Sequence, residues 1–473
     1  MNLALLSLAL PLVGALLLIL ARPAGGRWVI LINLASTLAA AGALHQVMQT
    51  GAQWLELGGW SAPLAIRFQL TPLTALLLLF TAGLHLLVAL YAARSRHAIG
   101  GEDFWPLSCL LQAALAALWL SGDLFNLYVT LELLSLAAVA LVALAGAKAY
   151  RPALNYLLLS LAGSLAYLFG VALLYGRYGV LDIALLAELA EADATTRLAL
   201  LLMSLGLMLK AALWPLHLWL PPAHAGAPAA VSALLSALVV KGPLYILWLL
   251  WSRIAPVELA QSAGGLFAVA GIFALLCGGW SALRAPYLKT LVAYSTVAQL
   301  GYALLALGLL LRWQEPGLSA ALWLFVLAHG LAKVSMFLAA GELQHTLGSK
   351  RVRALKGASQ TMPLALFAFA VAGGSLIGLP PSGGFLAKWL LLQPLFLHPQ
   401  HWPWAIGVLL GTLASAAYVF RVVALGFDRA RPTPASFNPD RLAQWLAMLP
   451  ALLVWCLALI SKPLLLWIGG VSQ

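Results

Sequence analysis

The sequence predicts an all-α polytopic membrane protein with fourteen transmembrane helices and no soluble domain. Three observations predict it. Of 473 residues, 63% are hydrophobic and 8% charged, with a mean hydropathy of +0.98. A soluble domain carries about 25% charged residues, so this chain has too few for a water-facing surface. The apolar residues fall into fourteen stretches of span length, about 20 residues each. The basic residues then sort to one side of those stretches.

The stretches lie near 3–21, 28–48, 70–93, 104–121, 124–145, 153–175, 198–220, 228–251, 261–283, 288–311, 318–343, 361–395, 403–426 and 443–468. The first has no basic residue before it and no clear cleavage site, so it reads as a retained span rather than a signal peptide. Two are irregular: the seventh contains Pro215, and the twelfth contains "GLPPSGG" (Gly378–Gly384). Between the sixth and seventh, "LDIALLAELAEADATTR" (Leu181–Arg197) reads as a short amphipathic helix on the outer surface. The stretch near Asp428 to Arg441 is polar and carries no motif.

Alternate connections differ sharply in charge. One set holds sixteen basic residues: Arg22, Arg27, Arg94, Arg96, Lys148, Arg151, Arg284, Lys289, Lys350, Arg351, Arg353, Lys356, Arg421, Arg429, Arg431 and Arg441. The other holds Arg67, Arg177, Arg197, Arg253 and Arg312. The asymmetry assigns the richer set to the cytoplasm and both termini to the outer side of a cell inner membrane. It also supports the count of fourteen, because a missed span would scramble the alternation. The net charge of +12 is thus topological and implies no nucleic-acid partner. Cys109, Cys277 and Cys456 are isolated in apolar runs, which indicates neither a disulfide framework nor a metal site. The chain shows no Walker loop and no dinucleotide fingerprint, so no cofactor of its own is expected.

Five lysines remain inside apolar stretches: Lys210, Lys241, Lys333, Lys388 and Lys462. Glu132, in "LYVTLELLSLAAVAL", is read as the one central acid and the natural counter-ion for one of them. A charge at the centre of a bilayer helix costs about 2.5–3.5 kcal/mol on the mildest scale. Such residues can be tethers that snorkel or cap a broken helix, and Lys462, beside Pro463 near a span end, is read that way. The other four together read as an ion path, the default for intramembrane charges.

The stretch "LMLKAALWPLHLWLPPAH" (Leu207–His224) places a lysine beside a break. Pro215 has no N–H, so the carbonyl of Ala211 is expected to lose its helical partner. "GLPPSGGFLAK" repeats the pattern, with Pro380 and Pro381 as the breaks, two glycines for the turn and Lys388 after them. Broken helices in corresponding places point to inverted repeats in a transporter; an ordinary proline kink would not require a lysine beside it. His329, His217 and His224 lie near the same level and are candidate proton relays, against the alternative of packed imidazoles. His329 and Lys333 are four apart, on one helix face. A proton can move along such a row by charge coupling, since a nearby carboxylate helps a buried ammonium to keep its proton.

These residues resemble the antiporter-like membrane subunits shared by Mrp-type multisubunit cation/proton antiporters, respiratory complex I and membrane-bound hydrogenases. The resemblance covers nearly the whole chain. It rests on "DLFNLYVTLE" (Asp123–Glu132), "LKAALWPLHLWLPPAHAGAP" (Leu209–Pro228), "KGPLY" (Lys241–Tyr245), "LKTLVAYSTVAQLGY" (Leu288–Tyr302), "HGLAKVSMFLAAGEL" (His329–Leu343) and "GLPPSGGFLAK" (Gly378–Lys388). It implies two inverted five-helix repeats with discontinuous helices 7 and 12. The expected layout is helices 1–3 in residues 1–103, helices 4–8 in 104–251, helices 9–13 in 257–427, and a polar connection with helix 14 in 428–473. It also implies an essential pair, Glu132 and Lys210, a connecting Lys241 and a twelfth-span Lys388. "DLFNLYV" and the twelfth-span lysine look most like the D-type chain of Mrp antiporters. The implied partners are other membrane subunits of a hetero-oligomer, and the transported species protons with a monovalent cation. Two alternatives stand beside this: a pump subunit of a redox complex whose cofactors belong to its partners, and a non-transporting membrane scaffold, against which the row of buried charges argues.

Overall fold

The computed structural model describes residues 1–21, 25–61, 65–397, 399–428 and 438–469. Arg22, Arg429 and Arg431 of the charge pattern lie outside the described residues. Among those described, 10 helices are long and apolar enough to cross a membrane, and Phe104–Leu120, Pro363–Ile377 and Arg441–Cys456 are shorter apolar helices. The chain is a multi-pass helical membrane protein.

In chain order the helices are α1 (Asn2–Ala21), α2 (Gly25–Thr50), α3 (Pro72–Arg94), α4 (Phe104–Leu120), α5 (Leu124–Ala143), α6 (Ala147–Tyr178), α7 (Ile183–Leu189), α8 (Ala194–Lys210) and α9 (Leu220–Gly226). Then come α10 (Ala229–Ile254), α11 (Val257–Arg284), α12 (Leu288–Trp313) and α13 (Pro316–Thr346). The chain continues through α14 (Pro363–Ile377), α15 (Gly383–Phe396), α16 (Trp402–Gly426), α17 (Arg441–Cys456) and α18 (Ser461–Gly469).

Layering follows from what each helix exposes. The most apolar stretches of α10 and α13 are 100% buried, whereas those of α1 and α16 are 33% buried. Leu17, Leu20, Leu38, Leu133, Leu165, Phe169, Leu266 and Leu413 are exposed on the outer helices. An apolar belt this wide suits lipid and not water. Lys210, Lys241, Lys333 and Lys388 are instead buried, where neighbouring protein can satisfy them.

Two local features differ from the sequence expectation. A hairpin, Gln53–Leu57 paired antiparallel with Ile66–Leu70, lies in the connection before α3, where no strand was expected. The expected amphipathic helix over 181–197 is split. Only Ile183–Leu189 is helical before Asp193, whose side chain accepts from the Thr196 N–H and starts α8. An acid at an N-cap satisfies a donor the helix leaves open, which favours a new start over continuation.

The helix breaks also differ. α8 ends at Lys210, before Pro215 is reached. Ala212 takes φ 51°, its N–H donates to Leu209 O at 3.2 Å, and the Leu213 N–H donates to Met208 O at 2.9 Å. That is a Schellman closure, which ends a helix by turning its last carbonyls inward. α14 ends in the same way at Ile377: Gly378 takes φ 92°, and Leu379 N–H donates to Gly374 O at 2.9 Å. Pro380 and Pro381 follow this end and do not cause it. The two glycines of "SGG" make no left-handed turn, since both lie in the first turn of α15. Gly384 is required for another reason: a Cβ there would collide with the Ser375 carbonyl, where α15 meets α14.

Candidate functional site: a buried row of lysines

Each buried ammonium needs acceptors, and the inner helices supply them. Glu132 on α5 and Lys210 at the end of α8 meet at 3.0 Å (Oε1 to Nζ). Their side chains are 20% and 2% exposed, so the lysine is sealed while the carboxylate keeps an edge open. Lys210 also donates to Ser135 Oγ at 2.8 Å and Ser160 Oγ at 3.1 Å, which completes its three N–H donors. Ser164 on α6 donates to Glu132. The α5–α6–α8 contact thus holds one ion pair and three hydroxyls.

Lys241 lies at the middle of α10, just after a π turn over Leu235–Val239. Its ammonium takes the Ser236 carbonyl in that turn and contacts His329 Nδ1 at 2.8 Å. A π turn disturbs the regular carbonyl ladder, and the lysine head fills the place of the missing donor. His329 Nε2 is buried without a partner. Lys333, one turn further along α13, donates to Val292 O at 3.0 Å and to Ser295 Oγ.

Lys388 on α15 reaches back to the open end of α14. It donates to Leu376 O at 2.8 Å, Ile377 O at 3.1 Å and Thr412 Oγ1 at 3.4 Å, and it sits 4.1 Å from the centroid of the Tyr302 ring. Helix C-terminal carbonyls carry partial negative charge, so an ammonium is favoured there. The aromatic face adds a cation–π attraction.

A polar stripe on α12 ties the later members together. Thr296 Oγ1 lies 2.9 Å from Ser236 Oγ, beside the carbonyl that Lys241 holds. Ser295 holds Lys333. Gln299 donates to Ser415 Oγ at 2.9 Å, Tyr418 Oη at 3.2 Å and Leu376 O at 3.3 Å, the last being a carbonyl that Lys388 shares. Ser295, Gln299 and Tyr302 recur at helical spacing on one face. Ser295 also hydrogen-bonds Tyr418, so a chain of contacts runs from Lys241 to Lys388. Among the described residues no hydrogen bond joins Lys210 to Lys241, so the row has one gap.

Of the candidate relays, His224 is 0% exposed, stacks on Phe337 at 4.6 Å and has no partner at either ring nitrogen. His217 lies in the α8–α9 break, half-buried, beside exposed Leu218 and apart from the row. Lys462 is exposed. Among the described residues three buried charges were missed: Glu342, Lys289 and Asp182, the last 2% exposed and paired with Arg67 at 3.3 Å. Glu132 is not the only buried acid: Glu342 on α13 is 1% exposed. Its position in "FLAAGELQ", an acid within an apolar run, was the available signal. Lys289, assigned to a connection, is 7% exposed and donates to the Ala227 carbonyl. It starts α12, and nothing in its local pattern separates it from a loop lysine.

A family model described as "NADH:quinone oxidoreductase/Mrp antiporter, TM" matches residues 121–414. The chain belongs to this family. It is 35% identical over 432 residues to the N-type subunit of the NADH-quinone oxidoreductase of Desulforudis audaxviator, covering 89% of this chain and 85% of that one. It is 28% identical over 417 residues to the D-type subunit of the Na(+)/H(+) antiporter of Alkalihalophilus pseudofirmus, covering 86% and 83%. A chain in the structure of the membrane-bound sulfane sulfur reductase, an archaeal respiratory membrane complex, superposes with a TM-score of 0.92 at 28% identity, covering 100% of this chain and 97% of that one. The family match begins just before Glu132 and ends beyond Lys388, so it contains the whole row.

Proposed function

We propose that this family member is a proton-translocating membrane subunit of a multisubunit cation/proton antiporter. The observation that carries the reading is the row itself: Glu132–Lys210, then Lys241, His329, Lys333 and Lys388, with the lysines and His329 buried and linked by hydroxyls and an amide from Lys241 onward. Water is scarce at that depth, so a proton can pass only between groups that both hold and release one. His224 is a relay beside the row; His217 is the weaker candidate because it lies outside it. A membrane potential supplies about 2.3 kcal/mol per charge per 100 mV, enough to bias transfer between neighbouring lysines.

In this reading the chain makes fourteen spans. α8–α9 form a discontinuous helix 7 and α14–α15 a discontinuous helix 12, within two inverted repeats over 104–251 and 257–427. The matching left-handed closures at Ala212 and Gly378 support that pairing. The basic face is cytoplasmic, both termini are outside, and the working unit includes other membrane subunits, as the assembly named for the structural relative does.

The second reading is a pump subunit of a redox complex, favoured by the 35% identity to a quinone oxidoreductase subunit. One experiment separates them. Inverted vesicles bearing the whole complex are acid-loaded and challenged with sodium or potassium, with wild type and Lys210→Ala at equal abundance. Collapse of the pH gradient in wild type but not the variant supports the antiporter. A gradient formed only with an electron donor supports the redox pump. Unchanged flux in Lys210→Ala removes the row from either mechanism.

A further inference from the structure

The row explains how a proton crosses the middle of the protein, not how it arrives. At the basic face a cavity of about 340 Å³ is lined by His97, Lys289, Gln344, His345 and Lys350, with the α9–α10 junction as its inner wall. Beside it lies Glu342, whose neighbours Gly341 and His345 line the cavity. Three groups converge on its Oε1: Tyr91 Oη at 2.7 Å, Ser95 Oγ at 2.9 Å and His97 Nε2 at 3.4 Å. Among the described residues no donor reaches Oε2. The His345 ring stacks on His97 at 3.6 Å and 7°.

We infer that this cavity is a proton-collecting vestibule, with Glu342 as the carboxylate that receives the proton and the His97–His345 pair as its antenna. The inference rests on the proton-path reading above. It departs from a plain tether between α3 and α13 on three counts. A tether needs no open carboxylate oxygen. It needs no pair of stacked imidazoles, of which one can carry charge while the other stays neutral. It also needs no water-sized space on their far side.

The surrounding charges fit capture. On α3, Arg94 is engaged at 2.6 Å by Asp440, the N-cap of α17, and in the following turn Arg96 is paired with Glu102. Lys289 of α12 is turned to the Ala227 carbonyl, and Lys350 stands at the rim. Apart from those paired acids, Glu342 is the carboxylate facing this set. A proton on His97 Nε2 moves to Glu342 Oε1, 3.4 Å away, as a bond to nitrogen breaks and one to oxygen forms. Inward, the wall formed by Ala225, Gly226 and Ala227 is the end of α9, the helix that carries His224 with its two unpartnered ring nitrogens.

The test uses vesicles of the whole complex and reads initial proton flux against pH on the basic face. Glu342→Gln and His97→Gln are compared with wild type, and Lys210→Ala serves as the path control. An antenna raises capture by about tenfold or more. Both variants should therefore lose at least about tenfold at alkaline pH, where protons are scarce, and converge on wild type at acid pH. Wild-type profiles in both overturn the inference. So does a loss of equal size at every pH in Glu342→Gln with His97→Gln unaffected, which is the signature of a tether. His97 has a side chain 29% exposed, so its variant should fold even if Glu342→Gln does not. If Lys210→Ala keeps full flux, the row fails as the path, while the shape of the pH profiles still judges the vestibule.

Discussion

Lys388 donates to the carbonyl of Leu376 at 2.8 Å, and Leu376 stands in its broken helix where Lys210 stands in the other. Each precedes a left-handed residue by two positions, Gly378 at φ 92° and Ala212 at φ 51°. Lys210 is thus part of the helix that ends, whereas Lys388 comes from the helix that begins and reaches back across the gap. The two breaks present an ammonium at the same level by opposite routes.

That relationship predicts the effect of Lys388→Met. The side chain keeps its bulk, but the Ile377 carbonyl loses its donor at a buried helix end. An unsatisfied buried acceptor costs about 1–3 kcal/mol. The unfolding midpoint of the detergent-purified complex should fall by a corresponding amount. An unchanged midpoint would show that the ammonium does not cap α14.

The left-handed residues make opposite predictions. Alanine is disfavoured there by about 1–2 kcal/mol, and glycine is not. Ala212→Gly should therefore stabilise the fold by up to about 1 kcal/mol, after the entropy glycine loses. Gly378→Ala should destabilise by about 1–2 kcal/mol, and more if the new Cβ, 3.1 Å from Lys388 Cδ, displaces that side chain. Thermal unfolding of the two variants side by side checks the pair; shifts of the same sign would contradict it.

Glu132→Gln tests the ion pair. Removing one partner of a buried pair costs about 3–5 kcal/mol. Glu132 is 20% exposed, and Ser135 and Ser160 still hold Lys210, so the lower end of that range is expected. Proton flux should fall with it and recover in part in Glu132→Asp. Full flux in Glu132→Gln would mean that Lys210 works without a counter-ion.

Asp193 gives a pH dependence outside the membrane. The Thr196 N–H at 2.7 Å, and then the Arg177 guanidinium at 2.7 Å, hold its carboxyl down to about 2 from the usual 3.8. A depressed folded-state value means the stabilisation is present above the unfolded value and is lost as pH falls through the folded one. Asp193→Ala should therefore be less stable than wild type at neutral pH, with the difference shrinking as pH falls from about 4 to about 2. A difference independent of pH would assign the effect to the helix cap alone.

Much of this protein is decided by its sequence. Low charge and long apolar runs force a helical membrane fold, because lipid cannot satisfy an open backbone. A lysine in such a run must find acceptors, which is why Lys210, Lys241, Lys333 and Lys388 could be picked out one by one, and why Glu132 could be named as a counter-ion. The sequence could not locate the helix ends. Proline marks a break, but the closures at Ala212 and Gly378 come earlier, set by hydrogen bonds back to Met208 and Gly374. Nor could it tell Lys289 from a loop charge, since that lysine lies at the start of α12 and owes its burial to other helices. The pairing of Lys241 with His329, and of Lys388 with Tyr302, joins residues 88 and 86 positions apart. Only the packing of α10 and α15 against α12 and α13 decides such contacts, because a helix fixes which residues share its own face but not which neighbour that face will meet.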